Sequence, residues 1–135
     1  MRVLILVLML GSSNIFAQAE WPSLSGPYLG QKLPGLEPEV FAPDLVSTSD
    51  SRELNSVFSP NGKIFMFSRV IDGQFKMFYS TVSDDGVWSR PRMAAPSRTY
   101  PGHSEVDMVF SPSGDWLYFI SPRPLPGYSL ERRNI

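Results

Sequence analysis

The chain of 135 residues has no cysteine, a single histidine and no surplus of either charge, with 12 Lys+Arg against 13 Asp+Glu. Each shortage removes a class of function. Without cysteine there are no disulfides, no zinc–thiolate centres and no thiol nucleophile. Balanced charge argues against a nucleic-acid binder, since counterion release needs clustered basic residues. No glycine-rich phosphate loop or basic–aromatic interleave occurs either. Long apolar runs are also missing. The run Val3–Leu10 has eight residues, far short of the roughly 20 that span a bilayer.

That run has a different use. Met1-Arg2 precedes it, a polar break follows at Gly11-Ser12-Ser13-Asn14, and Ala17-Gln18-Ala19 supplies small residues where a signal peptidase reads. This is the tripartite secretory pattern. It predicts a signal peptide over 1–19, cleaved after Ala19, and a periplasmic or extracellular product with no membrane anchor. With no cysteine to form disulfides, the exported fold must hold by burial.

All 13 prolines lie beyond the leader. Residues 20–38 carry Pro22, Pro27, Pro34 and Pro38 among three glycines, which predicts an extended, irregular lead-in. Short aromatic and β-branched runs then take over, and with them an internal repeat. Residues 53–67 (Glu-Leu-Asn-Ser-Val-Phe-Ser-Pro-Asn-Gly-Lys-Ile-Phe-Met-Phe) align without a gap on 105–119 (Glu-Val-Asp-Met-Val-Phe-Ser-Pro-Ser-Gly-Asp-Trp-Leu-Tyr-Phe), 52 residues later. Seven of the fifteen positions are identical, where unrelated segments would share about one, so the segment is duplicated. A weaker echo, Pro38-x-x-x-Ala42-Pro43 and Pro91-x-x-x-Ala95-Pro96, has an offset of 53.

The repeated residues are turn chemistry. In Ser59-Pro60-Asn61-Gly62, proline presets φ for a type I turn and glycine supplies the left-handed residue that follows. Ser111-Pro112-Ser113-Gly114 offers the same bend. With Asp72-Gly73 and Asp84-Asp85-Gly86 as further hairpin signals, four proline-free runs emerge at 54–58, 63–70, 74–82 and 87–89. They predict an all-β fold whose first unit, 49–98, is a four-stranded antiparallel meander. A second unit, 99–135, is incomplete. Ile64-Phe65-Met66-Phe67 and Trp116-Leu117-Tyr118-Phe119 do not alternate with polar residues, so both faces of each sheet need cover.

Val57–Ser68 and Val109–Ser121 resemble the TolB-type, WD-repeat-like propeller repeat of bacterial envelope proteins, which centres on Phe-Ser-Pro-Asp-Gly-Lys. Asn61 and Ser113 stand where that family has Asp. The segments Gly26–Lys32, Phe41-Ala42-Pro43 and Trp88-Ser-x-Pro91 resemble exported members of the group as well. The resemblance implies a partial β-propeller, with one complete blade and a truncated second. It also implies a ring-closing strand within 39–48. Propellers need about 4–8 blades, so two repeats leave open blade faces. About four uncovered aromatics would expose ~600–1,000 Å². Such faces invite self-association, for instance three copies completing a ring.

Candidate functional residues are few. Glu53 with Asn55, and Glu105 with Asp107, are spaced to share a strand face. The resemblance places them at the innermost strand, lining a channel where ligands bind. A purely mechanical alternative is that they hydrogen-bond loop amides and hold one blade against the next. Oxygen-only ligands would suit a hard cation such as Ca²⁺, but no calcium-loop spacing is present and no metal or other cofactor is expected. His103-Ser104-Glu105-x-Asp107 has the residue types of a hydrolase triad. However, neighbouring strand residues point to opposite faces, and no Gly-x-Ser-x-Gly elbow accompanies them. No catalytic residue is expected. The residues Ser59, Pro60, Gly62, Ser111, Pro112 and Gly114 are structural. The resemblance implies a non-catalytic exported module that binds an envelope or secreted protein. It equally implies a truncated fragment of a longer TolB-like propeller, and the alternative is the N-terminal fragment of a propeller-containing hydrolase or peptidase whose catalytic part is missing.

Overall fold

The computed structural model describes residues 22–124. The expected signal peptide at 1–19 and the end of the incomplete second unit, 125–135, lie outside the described residues. Within them the protein is all-β. Strands β1 (Glu53–Phe58), β2 (Ile64–Ile71), β3 (Gln74–Thr81) and β4 (Arg92–Met93) form an antiparallel sheet in chain order. A five-residue helix α1 (Ala95–Thr99) leads to a two-stranded sheet of β5 (Val106–Phe110) and β6 (Leu117–Ile120). Neither sheet closes on itself. No helix among the described residues is long and apolar enough to cross a membrane.

The repeated bend sits where its chemistry demands. Gly62 (φ +68°) and Gly114 (φ +82°) occupy the left-handed region, which costs a side chain bearing Cβ about 1–2 kcal/mol. Gly62 N donates to Ser59 O at 2.8 Å, and Gly114 N to Ser111 O at 2.9 Å. The serine does more than start the turn. Ser59 Oγ accepts from Ile64 N at 2.9 Å, and Ser111 Oγ from Trp116 N at 3.2 Å. Each hydroxyl thereby satisfies an amide where the returning segment begins, which explains why serine recurs with the proline and glycine.

Register repeats too. Val57 pairs with Met66 and Phe58 with Phe65; Val109 pairs with Tyr118 and Phe110 with Leu117. Both ladders slip at the same place, between Glu53 and Ser56 and between Val106 and Val109. Bulges of this kind re-aim side chains, with consequences for the acidic pairs.

Both faces of the first sheet are covered, as its apolar pattern requires. On one, Phe65 and Phe67 are buried with Leu29, Ala42, Val46 and Trp88. On the other, Met66 and Met77 are buried with Ala94 and Met108, and Phe110, Leu117 and Phe119 of the second sheet pack there. Only one cover is a sheet. The other is the lead-in, folded back over Phe65 and Phe67.

Three expectations need correction. Residues 39–48 form no ring-closing strand: Ala42 (φ +45°) and Asp44 (φ +62°) bend the chain into a tight loop, in which Val46 N donates to Ala42 O at 2.9 Å. The counterpart in the second unit is Arg98 N donating to Ala94 O at 3.1 Å, so the backbone equivalence here is 52 residues rather than 53. The fourth strand is longer than 87–89 and broken. Val82 bridges Trp88, and Phe78 and Tyr79 then pair with Met93 and Arg92. Pro91, with no N–H to offer a ladder, lies at the break. Finally, the lead-in is not merely extended. It turns through Pro27–Gly30 and bridges the sheet, with Trp88 Nε1 donating to Gly26 O at 2.7 Å.

Candidate functional site

Glu53 and Glu105 occupy the same place in the two repeats, and each grips the segment that precedes its own sheet. Glu53 accepts from Arg69 Nε at 3.0 Å. The other arm of that guanidinium donates to Leu45 O at 3.1 Å and Val46 O at 2.7 Å. The loop that covers Phe65 and Phe67 is therefore tied to β2 through an ion pair about one-fifth exposed.

Glu105 is fully buried. It accepts from Ser97 Oγ at 2.8 Å and from Ser121 Oγ at 3.5 Å. Ser97 Oγ in turn accepts from Met77 N at 2.9 Å, so α1 is wedged between the two sheets by a two-step hydrogen-bond chain. The counter-charge comes from the first sheet. Lys76, also buried, lies 3.9 Å from the Glu105 carboxylate. Its ammonium donates to the carbonyls of Tyr100 and His103. A buried carboxylate with an ammonium and hydroxyl donors is a satisfied network, and removing either charged member leaves the other stranded.

The two acidic pairs do not form one site. Asn55 Nδ2 donates to Met108 O at 3.2 Å and its Oδ1 accepts from Ser68 Oγ at 3.3 Å, so this side chain stitches β1 to β5. Glu53 faces the loop at 45–46 instead. Glu105 is buried while Asp107, at φ +55°, is exposed. The spacing of two predicts a shared face, and the bulge between Val106 and Val109 cancels that alternation. Among the described residues no three His, Asp or Glu side chains are grouped to hold a metal ion.

The Ser104 hydroxyl and the His103 backbone are occupied elsewhere. Ser104 Oγ donates to Gln74 Oε1 at 2.9 Å and accepts from Phe75 N at 3.1 Å, which fastens this connector to the β2–β3 hairpin. His103 contributes its carbonyl to Lys76 and its amide to Tyr100 O at 3.2 Å.

Sequence reasoning overlooks Lys76, Ser97 and Arg69. Lys76 could have been found, because a lysine inside Gln-Phe-Lys-Met-Phe-Tyr, in a sheet covered on both faces, must meet an acid. Ser97 carries no such signal.

The remaining candidate is a surface. Val109, Trp116, Tyr118 and Ile120 are 52–68% exposed. Val109 pairs directly with Tyr118, and Trp116, Tyr118 and Ile120 alternate along one side of the β6 segment, so they form one contiguous apolar face. Elsewhere, a groove of about 380 Å³ beside the lead-in is lined by Tyr28, Phe41 and Phe58, with the Lys32–Glu39 ion pair (3.0 Å) beside it. No known protein family, curated protein or solved structure matches the chain.

Proposed function

We propose that the protein is an exported, non-catalytic β-repeat module of the TolB-like propeller kind that acts by binding another protein through a sheet face. One observation carries this reading. Val57, Ile64 and Met66 form the face on which the first sheet holds the second. Their equivalents one repeat later, Val109, Trp116 and Tyr118, form a face of the same kind that is left bare among the described residues. A surface built to hold a sheet, and left uncovered, is the mark of an interaction site. The intrachain bonds of Glu53, Glu105, Lys76 and Ser104 favour a structural role for the polar clusters. Export rests on the tripartite leader pattern at 1–19.

A photo-crosslinking residue placed at Trp116 in the full chain, activated in intact cells, tests the reading. A discrete adduct in the exported fraction is the expected result. Retention of the protein in the cytoplasm, or export without any adduct, would overturn it.

A further inference from the structure

We infer that the occupant of the bare face is a second copy of this chain, the two second sheets stacking face to face about a two-fold axis. The inference rests on the binding reading above and names the partner. Three observations lead to it. The first is area. Val109, Trp116, Tyr118 and Ile120 are each more than half exposed and together present roughly 500 Å², so two copies would remove about 1,000 Å² from water, the lower bound of a specific interface.

The second is geometry. The face is contiguous and two strands wide, which lets two such sheets pack about 10 Å apart. An isologous contact also closes after one partner and leaves no copy of the face bare.

The third is the blocked alternative. Head-to-tail growth would set this face against the Phe65 and Phe67 side of another copy, as the internal repeat does with Phe119. That side is sealed. Leu29, Ala42 and Val46 cover it, and Arg69 pins the covering loop by two hydrogen bonds to its carbonyls. A ring of three copies needs both sides open and is disfavoured for the same reason.

Sedimentation equilibrium of the full chain from about 1 to 100 μM should show a monomer–dimer equilibrium and nothing larger. The Tyr118→Lys variant should weaken it at least about 100-fold, since both copies lose a central contact. A wild-type monomer throughout, a mass that keeps growing with concentration, or a dimer untouched by Tyr118→Lys would each overturn the proposal. If Tyr118→Lys does not fold, Tyr118→Cys decides. In a chain with no cysteine of its own, it should be joined to a second copy by a bis-maleimide linker long enough to span sheets about 10 Å apart, and failure to link counts against the dimer. The crosslink at Trp116 separates the two readings. An adduct of two copies supports both, and an adduct with any other protein sustains the binding module and overturns self-pairing.

Discussion

The two sheets carry the same repeat and meet different fates. In the first, Phe65 and Phe67 lie under the lead-in, while Met66 and Met77 lie under the second sheet. In the second, Phe110, Leu117 and Phe119 are packed on one side while Tyr118 and Ile120 face outward. The same bend, register and bulge produce a core element in one copy and a boundary in the other. Local chemistry sets the strand, and neighbours decide what the strand becomes. A repeat stack needs a cap at its end, and here residues 24–47 supply one for the first sheet only.

The largest effects should fall at the repeat position most deeply buried in the first sheet. Phe67 and Phe119 are the same repeat position, but Phe67 is 1% exposed and Phe119 only partly buried. Phe67→Ala should destabilise by about 3–5 kcal/mol and Phe119→Ala by about half as much. Urea unfolding of the two variants, with the m-value held constant, measures the gap. Equal losses would mean that the lead-in is a poor cover and that the first sheet is no better packed than the second.

The next contrast concerns the glutamates. Glu105→Ala strands the Lys76 ammonium in the interior and releases Ser97, so a cost of about 3–5 kcal/mol is expected. Glu53→Ala leaves Arg69 partly solvated, with Leu45 and Val46 carbonyls still accepting from it, so about 1 kcal/mol is expected. Lys76→Met should resemble Glu105→Ala. The double variant Lys76→Met/Glu105→Leu should recover much of the loss, because a buried ion pair removed whole leaves nothing unpaired. Thermal unfolding of the three variants, with Glu105→Leu alone to close the double-mutant cycle, measures the recovery.

How much of this could be read in advance follows from range. Strands β1 to β3 and the repeated bend were legible, because Ser-Pro-x-Gly is local chemistry and two-sided apolar runs declare a covered sheet. The fourth strand was misplaced because Pro91 interrupts a ladder that resumes at Arg92. The lead-in defeated prediction altogether as a cover. Leu29, Ala42 and Val46 are scattered among prolines with no period, and Ala42 reaches its place only through a left-handed turn. At the candidate sites, the residue types were visible and their directions were not. A one-residue bulge turned Asp107 out to solvent and left Glu105 inside.

A smaller effect should be nearly the same in both copies. Gly62→Ala and Gly114→Ala each force Cβ into the left-handed region, which should cost about 1–2 kcal/mol. A Cβ at Gly62 meets nothing within 4 Å, and at Gly114 it meets the Pro60 ring at 3.5 Å, an ordinary contact. Stability changes that match between the two variants would confirm that the bend performs one task twice. A much larger loss at Gly114 would mean that the added Cβ presses on the Pro60 ring and forces the two bends apart.

The smallest effect belongs to the outer face. Ile64 and Trp116 share a repeat position, but Ile64 packs against the second sheet while Trp116 is 68% exposed. Ile64→Ser should cost about 2 kcal/mol through lost burial. Trp116→Ser should change monomer stability by no more than about 0.5 kcal/mol. The measurement must be made dilute, because a partner that binds the folded chain adds stability that rises with concentration. A Trp116→Ser loss absent at low concentration and growing as the protein is concentrated would locate the residue in an interface. A loss of about 2 kcal/mol that ignores concentration would instead mean that Trp116 is packed within its own chain and that the second sheet has no bare face.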